Sequence, residues 1–157
     1  MNSMEAKRSI DLLATNRRLA EGMVRALTPE QRRIVPEGFN NNLLWHIGHL
    51  VVTQQILCYK LSGLPMAVDQ AMVEQFRKGT SPNDWTEDPD DEKLFEDLAT
   101  MVERLREDHQ QGIFTTYETY QTSTGYVLAS IDDAIAFNNF HEGIHLGYML
   151  AMRRLVA

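Results

Sequence analysis

Apolar residues recur at three- and four-residue steps in four separated stretches of this 157-residue chain, a spacing that lines one face of an α-helix. The first stretch, Glu5 to Leu27, sets Ile10, Leu13, the aliphatic stem of Arg17, Ala20, Val24 and Leu27 on one stripe. Thr28-Pro29-Glu30-Gln31 then reads as an N-cap, a first-turn proline and a capping-box partner, opening a short helical turn that Pro36-Glu37-Gly38 interrupts. Asn40, Asn41 and Asn42 offer an N-cap for a second long helix carrying Leu43, Leu44, Ile47, Leu50, Val51, Gln54, Leu57, Cys58 and Leu61, with Ser62-Gly63 as its stop. The third helix opens on Asp90-Asp91-Glu92, acids suited to the positive end of a helix dipole, and ends near Gly112. The fourth opens on Ser130-Ile131-Asp132-Asp133 and runs to about Leu155.

The connections are uneven. From Leu64 to Asp91 the periodicity fades among Pro65, Gly79, Pro82 and Pro89, with one helical turn over Met72 to Phe76. Thr115 to Ala129 is rich in Thr and Tyr around Ser123-Thr124-Gly125, a candidate small hairpin. Four helices with a long crossover between the second and third predict an all-α four-helix bundle, with residues 1–157 as one domain.

The formal net charge of −7 comes from acids spread along the chain, with no block of Lys and Arg able to neutralise a row of phosphates, which argues against a nucleic-acid partner. Arg17-Arg18, Arg32-Arg33 and Arg153-Arg154 read as solvated pairs on helix surfaces. Cys58 is the only cysteine, a pattern suited to a reducing compartment, so the expected location is the cytoplasm. No continuous apolar run approaches a signal core or a membrane span, so neither targeting nor membrane insertion is expected.

On the fourth helix, Phe140, Ile144, Gly147 and Ala151 form an apolar stripe whose small central residue invites close packing by a neighbouring helix. Beside it runs a line of Ala134, Asn138, His141, His145, Tyr148 and Met152, polar in its middle. His141 and His145 lie four apart, which stacks two imidazoles on one helix face within reach of a shared ion. Two such histidines alone are more often hydrogen-bonded core or surface residues, so a third ligand must decide. The second helix offers His46 and His49, next to Trp45 in an apolar segment, and either ring can turn toward the fourth helix. A divalent ion would use each neutral nitrogen and make the clustering of buried imidazoles favourable. Cys58 falls on the face opposite His49, and His109 sits at a helix end, where a cation or a surface residue is expected. Glu142, at the edge of the histidine line, is either a supporting hydrogen-bond or proton acceptor or a solvated acid. Asn138 and Tyr148 are supporting candidates or plain packing.

The segments Asn42-Leu43-Leu44-Trp45-His46-Ile47-Gly48-His49-Leu50 and Phe140-His141-Glu142-Gly143-Ile144-His145-Leu146-Gly147 resemble the two motif regions of the DinB/YfiT-like metalloenzyme superfamily. That family's pattern is one histidine on helix two and a His-x-x-x-His pair on the last helix, which map onto His49, His141 and His145, while His46 stands beside the expected ligand and could replace it. The resemblance covers the helix order and the long second connection. It implies a four-helix bundle, a three-histidine site for zinc, nickel or a similar ion such as iron, and frequent homodimers. It also implies a small-molecule substrate, since some members are S-transferases or isomerases that use low-molecular-weight thiols. A metal-dependent hydrolase and a non-catalytic dimerising bundle with a structural or vestigial histidine site are the alternatives.

Overall fold

A computed structural model describes residues 3–157. Four long helices build the core: α1 (Ser3–Arg25), α3 (Leu43–Gln54), α5 (Asp91–Gln111) and α6 (Ile131–Val156), joined by the short α2 (Pro29–Arg33) and α4 (Gln70–Phe76). A two-residue antiparallel ladder, β1 (Tyr120–Gln121) and β2 (Val127–Leu128), pairs Tyr120 with Leu128 and Gln121 with Val127. This is the all-α bundle that the periodicity predicts, with the hairpin where the Thr- and Tyr-rich segment suggests it.

The helix starts follow local chemistry. Thr28 accepts from the Gln31 backbone while the Gln31 side chain answers the Thr28 N–H, a closed capping box. Asn42 caps α3 through Trp45, Asp90 caps α5 through Glu92 and Lys93, and Ser130 caps α6 through Asp133. Gly112 ends α5 at φ 70°, a left-handed conformation that other residues adopt only with strain. Past Gln54, α3 widens into a π turn over Gln55–Tyr59 and tightens into a 3-10 turn over Lys60–Ser62 before stopping at Gly63.

α1 and α3 each pack against both α5 and α6. Leu13, Leu43, Leu44, Ile47, Leu50, Leu98 and Leu105 are fully buried between them, each contributing about 1.5–3 kcal/mol through apolar area removed from water.

Two sequence expectations about this core are corrected. Arg17 is no solvated charge: it is 2% exposed, and one guanidinium ties the four long helices together. Its Nε and Nη2 donate to Glu142 on α6 at 3.0 and 2.8 Å, its Nη1 to the Leu98 carbonyl on α5 at 3.1 Å, and its Nη2 to the Leu50 carbonyl on α3 at 3.1 Å. Arg32 is likewise buried, bonded to the Val24 and Arg25 carbonyls and paired with Asp91 at 2.7 Å. The second correction concerns the rotation of α6. The stripe of Phe140, Ile144, Gly147 and Ala151 faces outward, with Phe140 55% exposed, whereas Ala134, Ile135, Asn138, Glu142, Met149, Met152 and Val156 face the core. Partnering Glu142 with Arg17 makes the polar face of α6 the inner one across its middle.

Among the described residues no helix is long and apolar enough to cross a membrane.

Candidate metal centre

α3 and α6 run side by side, and the histidines meet across their contact. One ligating nitrogen each from His49, His141 and His145 falls within a 4.8 Å sphere of mutual distances. The Nε2 atom of His141 lies 3.3 Å from that of His49 and 3.1 Å from that of His145. Three nitrogens bound at the usual 2.0–2.1 Å to one tetrahedral ion stand about 3.3 Å apart, the spacing His141 already keeps to both of its neighbours.

The proton inventory points the same way. The Phe76 carbonyl, 2.8 Å from His49 Nδ1, can only accept, so His49 carries its proton there and turns a bare lone pair inward from Nε2. His145 Nδ1 lies 2.8 Å from His46 Nδ1, on the side of its ring away from the cluster. His46 therefore backs His145 and does not enter the cluster, whereas His49, onto which the family pattern maps, does. Burial holds all four imidazoles well below their ordinary pKa, His49 at about 4, His46 and His145 at about 3 and His141 at about 2, with neighbouring rings adding to the effect on His46, His141 and His145. At neutral pH these are uncharged rings, the form that ligates metal. Neutral rings cannot supply an N–H to every contact in the cluster, and His141 Nδ1 is buried without a partner. A cation uses the facing lone pairs together.

Neighbouring residues fix the ring planes. Trp45 stacks on His49 at 4.5 Å and 12° and donates from Nε1 to Thr80 at 3.0 Å, tying the indole to the long connection. Gly48 permits the contact that orients His49: a Cβ there would stand 2.3 Å from the Phe76 ring, so only glycine lets the end of α4 lie against α3 and bring the Phe76 carbonyl to Nδ1.

Glu142 and Asn138 lie elsewhere. Both are fully buried on the core side of α6, where Glu142 accepts from Arg17 and Asn138 sits 3.5 Å from the same carboxylate. His141-Glu142-Gly143-Ile144-His145 also fits the H-E-x-x-H pattern, in which the glutamate serves a bound metal as general base. Here the glutamate faces the bundle interior, and that use of the pattern does not carry over. Tyr148 lines the solvent side, 6.2 Å from the His46 ring and edge-on to Phe39 at 5.5 Å. Cys58 is fully buried away from the cluster, its thiol pushed up to about 12 by burial.

Two cavities meet at the histidines. The first, about 730 Å³, is bordered by Trp45, His46, His49, His141, His145 and Tyr148 together with Asn41, Thr80 and Ser81. The second, about 500 Å³, reaches His49 and His141 from the other side. Lys78, in the connection after α4, lines both, and its positive charge lowers His49 and His141 further. Sequence reading missed it because no periodicity or motif marks the segment that carries it.

The family model of the DinB superfamily matches residues 12–149, a span that contains all four of these histidines. The chain belongs to the DinB superfamily. Among curated proteins none matches it. Membership in the DinB superfamily and the convergence of His49, His141 and His145 are together compatible with a metal-binding enzyme.

Proposed function

We propose that this protein is a metal-dependent enzyme that transfers a low-molecular-weight thiol to a small electrophile, with His49, His141 and His145 holding a single divalent ion, zinc or nickel before iron. The observation that carries this reading is the meeting of three neutral Nε2 atoms, from two helices, on the wall of the first cavity, with His49 and His141 also lining the second. An ion held by three protein ligands supplies Lewis acidity at its remaining position and lowers the pKa of a thiol or water admitted there.

The chain's own residues do the rest. Phe76 fixes the protonated nitrogen of His49 and His46 supports His145, so both rings are held in place before a substrate arrives. Trp45 keeps His49 from rotating. Lys78 stands where an anionic reactant in either cavity gains from its charge. The chain's single thiol is buried, so the transferred sulfur has to come from a second substrate.

The placement of the carboxylates favours thiol transfer over hydrolysis by a carboxylate general base. Glu142 is committed to Arg17, and Asp84, the one acid lining the first cavity, accepts from the Ser81 N–H at 2.7 Å. A hydrolase that relies on a carboxylate base beside the ion is thereby disfavoured, whereas a thiol bound there needs only to lose its proton.

Metal analysis of protein purified without an affinity tag should find close to one equivalent in the parent and strong loss in His49→Ala and His145→Ala. Consumption of electrophiles should then require both metal and added thiol. A parent free of metal, or full occupancy in both variants, would remove the reading.

A further inference from the structure

The cavity of about 500 Å³ behind His49 and His141 has a composition opposed to that of the chain. The protein carries 22 acids against 15 Lys and Arg, yet the charged residues lining this cavity are Lys60, Arg77 and Lys78, with no acid among them. None of the three joins an ion pair among the described residues, and the Arg77 guanidinium bonds only the neighbouring Lys78 carbonyl. The rest of the wall is largely apolar, with Ile56, Leu57 and Leu61 on the end of the second bundle helix facing Phe137, Phe140 and Ile144 on α6. Phe137 and Phe140 continue into a further cavity of about 350 Å³ bordered by Tyr126. Three unpaired cations beside an apolar trough that opens on the histidines make a site with two kinds of affinity.

From this juxtaposition we propose that the electrophilic substrate is an organic anion with an apolar arm. The arm lies along Phe137, Phe140 and Ile144, the carboxylate or sulfonate is held by Lys60, Arg77 and Lys78, and the reacting atom is presented to the cluster from the His141 side. The proposal rests on the histidine cluster as the reaction centre and deepens that reading by naming the substrate class. It also gives the outward stripe of α6 a use, since Phe140 and Ile144, exposed and without a packing role in the core, form one wall of the trough. The second reactant then approaches through the larger cavity, whose wall carries Asn41, Thr80 and Ser81 and is suited to a polar molecule.

The test uses two fluorescent probes with one aryl skeleton, 8-anilinonaphthalene-1-sulfonate and its uncharged parent N-phenyl-1-naphthylamine, titrated into the full chain with and without bound zinc. The sulfonate should bind at least tenfold more tightly than the neutral probe. Lys60→Gln/Arg77→Gln/Lys78→Gln should weaken the sulfonate at least tenfold and leave the neutral probe within twofold. Phe140→Ala/Ile144→Ala should weaken both. Equal binding of the two probes, or sulfonate binding indifferent to the three cations, overturns the proposal. Charge dependence that persists in metal-free protein shows the trough to be independent of the ion. Metal content measured on the same samples therefore distinguishes failure of the trough from failure of the metal centre.

Discussion

Glu142 accepts two hydrogen bonds from Arg17, at 3.0 and 2.8 Å, although the residue before it in the chain is a histidine turned toward the opposite side of α6. Complete burial pushes the Glu142 carboxyl up, and the guanidinium opposes that shift. Replacing Arg17 with Met strands a carboxylate in the core and should cost about 3–5 kcal/mol, whereas Arg17→Met/Glu142→Leu should recover most of it. Denaturant unfolding of the single and double variants measures both. Metal content of the double variant should match the parent, because neither residue touches the histidine cluster. A loss of metal there would return Glu142 to the site.

Gly48 controls His49 without ligating anything. A methyl group at this position would meet three atoms of the Phe76 ring at 2.3–2.6 Å, and Phe76 is 1% exposed, with little room to withdraw. Gly48→Ala should cost about 1–3 kcal/mol of stability through overpacking. By shifting the carbonyl that fixes His49 it should also weaken zinc binding about 10- to 100-fold. A competition titration against a chelator reads the affinity. Unchanged affinity in a folded variant would show that the Phe76 contact is dispensable.

The helices and their ends were legible because both are local: apolar spacing gives the stripe, and Thr28, Asn42, Asp90 and Ser130 name the starts. The pairing of His141 with His145 was legible for the same reason, four residues being one turn. What periodicity could not supply is the rotation of α6. Phe140 and Ile144 look like core and lie outside, while Glu142, readable as a solvated acid, lies inside, because Arg17, more than a hundred residues away in the chain, satisfies the carboxylate. Residue geometry alone did not choose His49 over His46, since the choice depends on the Phe76 carbonyl at the end of α4, whose helical turn was legible but whose packing against α3 was not. Long-range polar partners decided both cases.

Cys58 offers a check on where the reactive sulfur comes from. Its thiol is fully buried and pushed up to about 12, so almost no thiolate exists at pH 8 and no reagent can reach it. In the native protein a disulfide reagent such as 5,5′-dithiobis(2-nitrobenzoate) should release less than about a tenth of one equivalent over an hour, with the full equivalent appearing on denaturation. Cys58→Ala should keep any thiol-dependent activity. Loss of turnover in that variant, with the fold intact, would make the buried thiol a participant.

Acid should destabilise the metal-free protein earlier than its carboxylates alone would. The folded-state values of His49, His46, His145 and His141, about 4, 3, 3 and 2, all lie below the ordinary imidazole value of 6.5, chiefly because of burial. Below pH 6.5 the unfolded chain takes up protons that the folded chain refuses, so stability falls as pH drops from about 7 and levels off only as the folded rings protonate in turn, between about 4 and about 2. At pH 5 each ring can contribute up to about 2 kcal/mol to this loss, and four coupled rings together several kcal/mol. Asp91, whose pKa is lowered by Arg33 and Arg32 against its own desolvation, acts in a separate window below about pH 4, and Glu142, shifted upward, works in the opposite sense. Calorimetry on chelator-treated protein should therefore show the melting temperature falling by roughly 10 °C between pH 7 and pH 5. The slope should shrink by about half in His141→Asn/His145→Asn, which removes two of the four rings. An identical slope in that variant would assign the acid sensitivity to other groups.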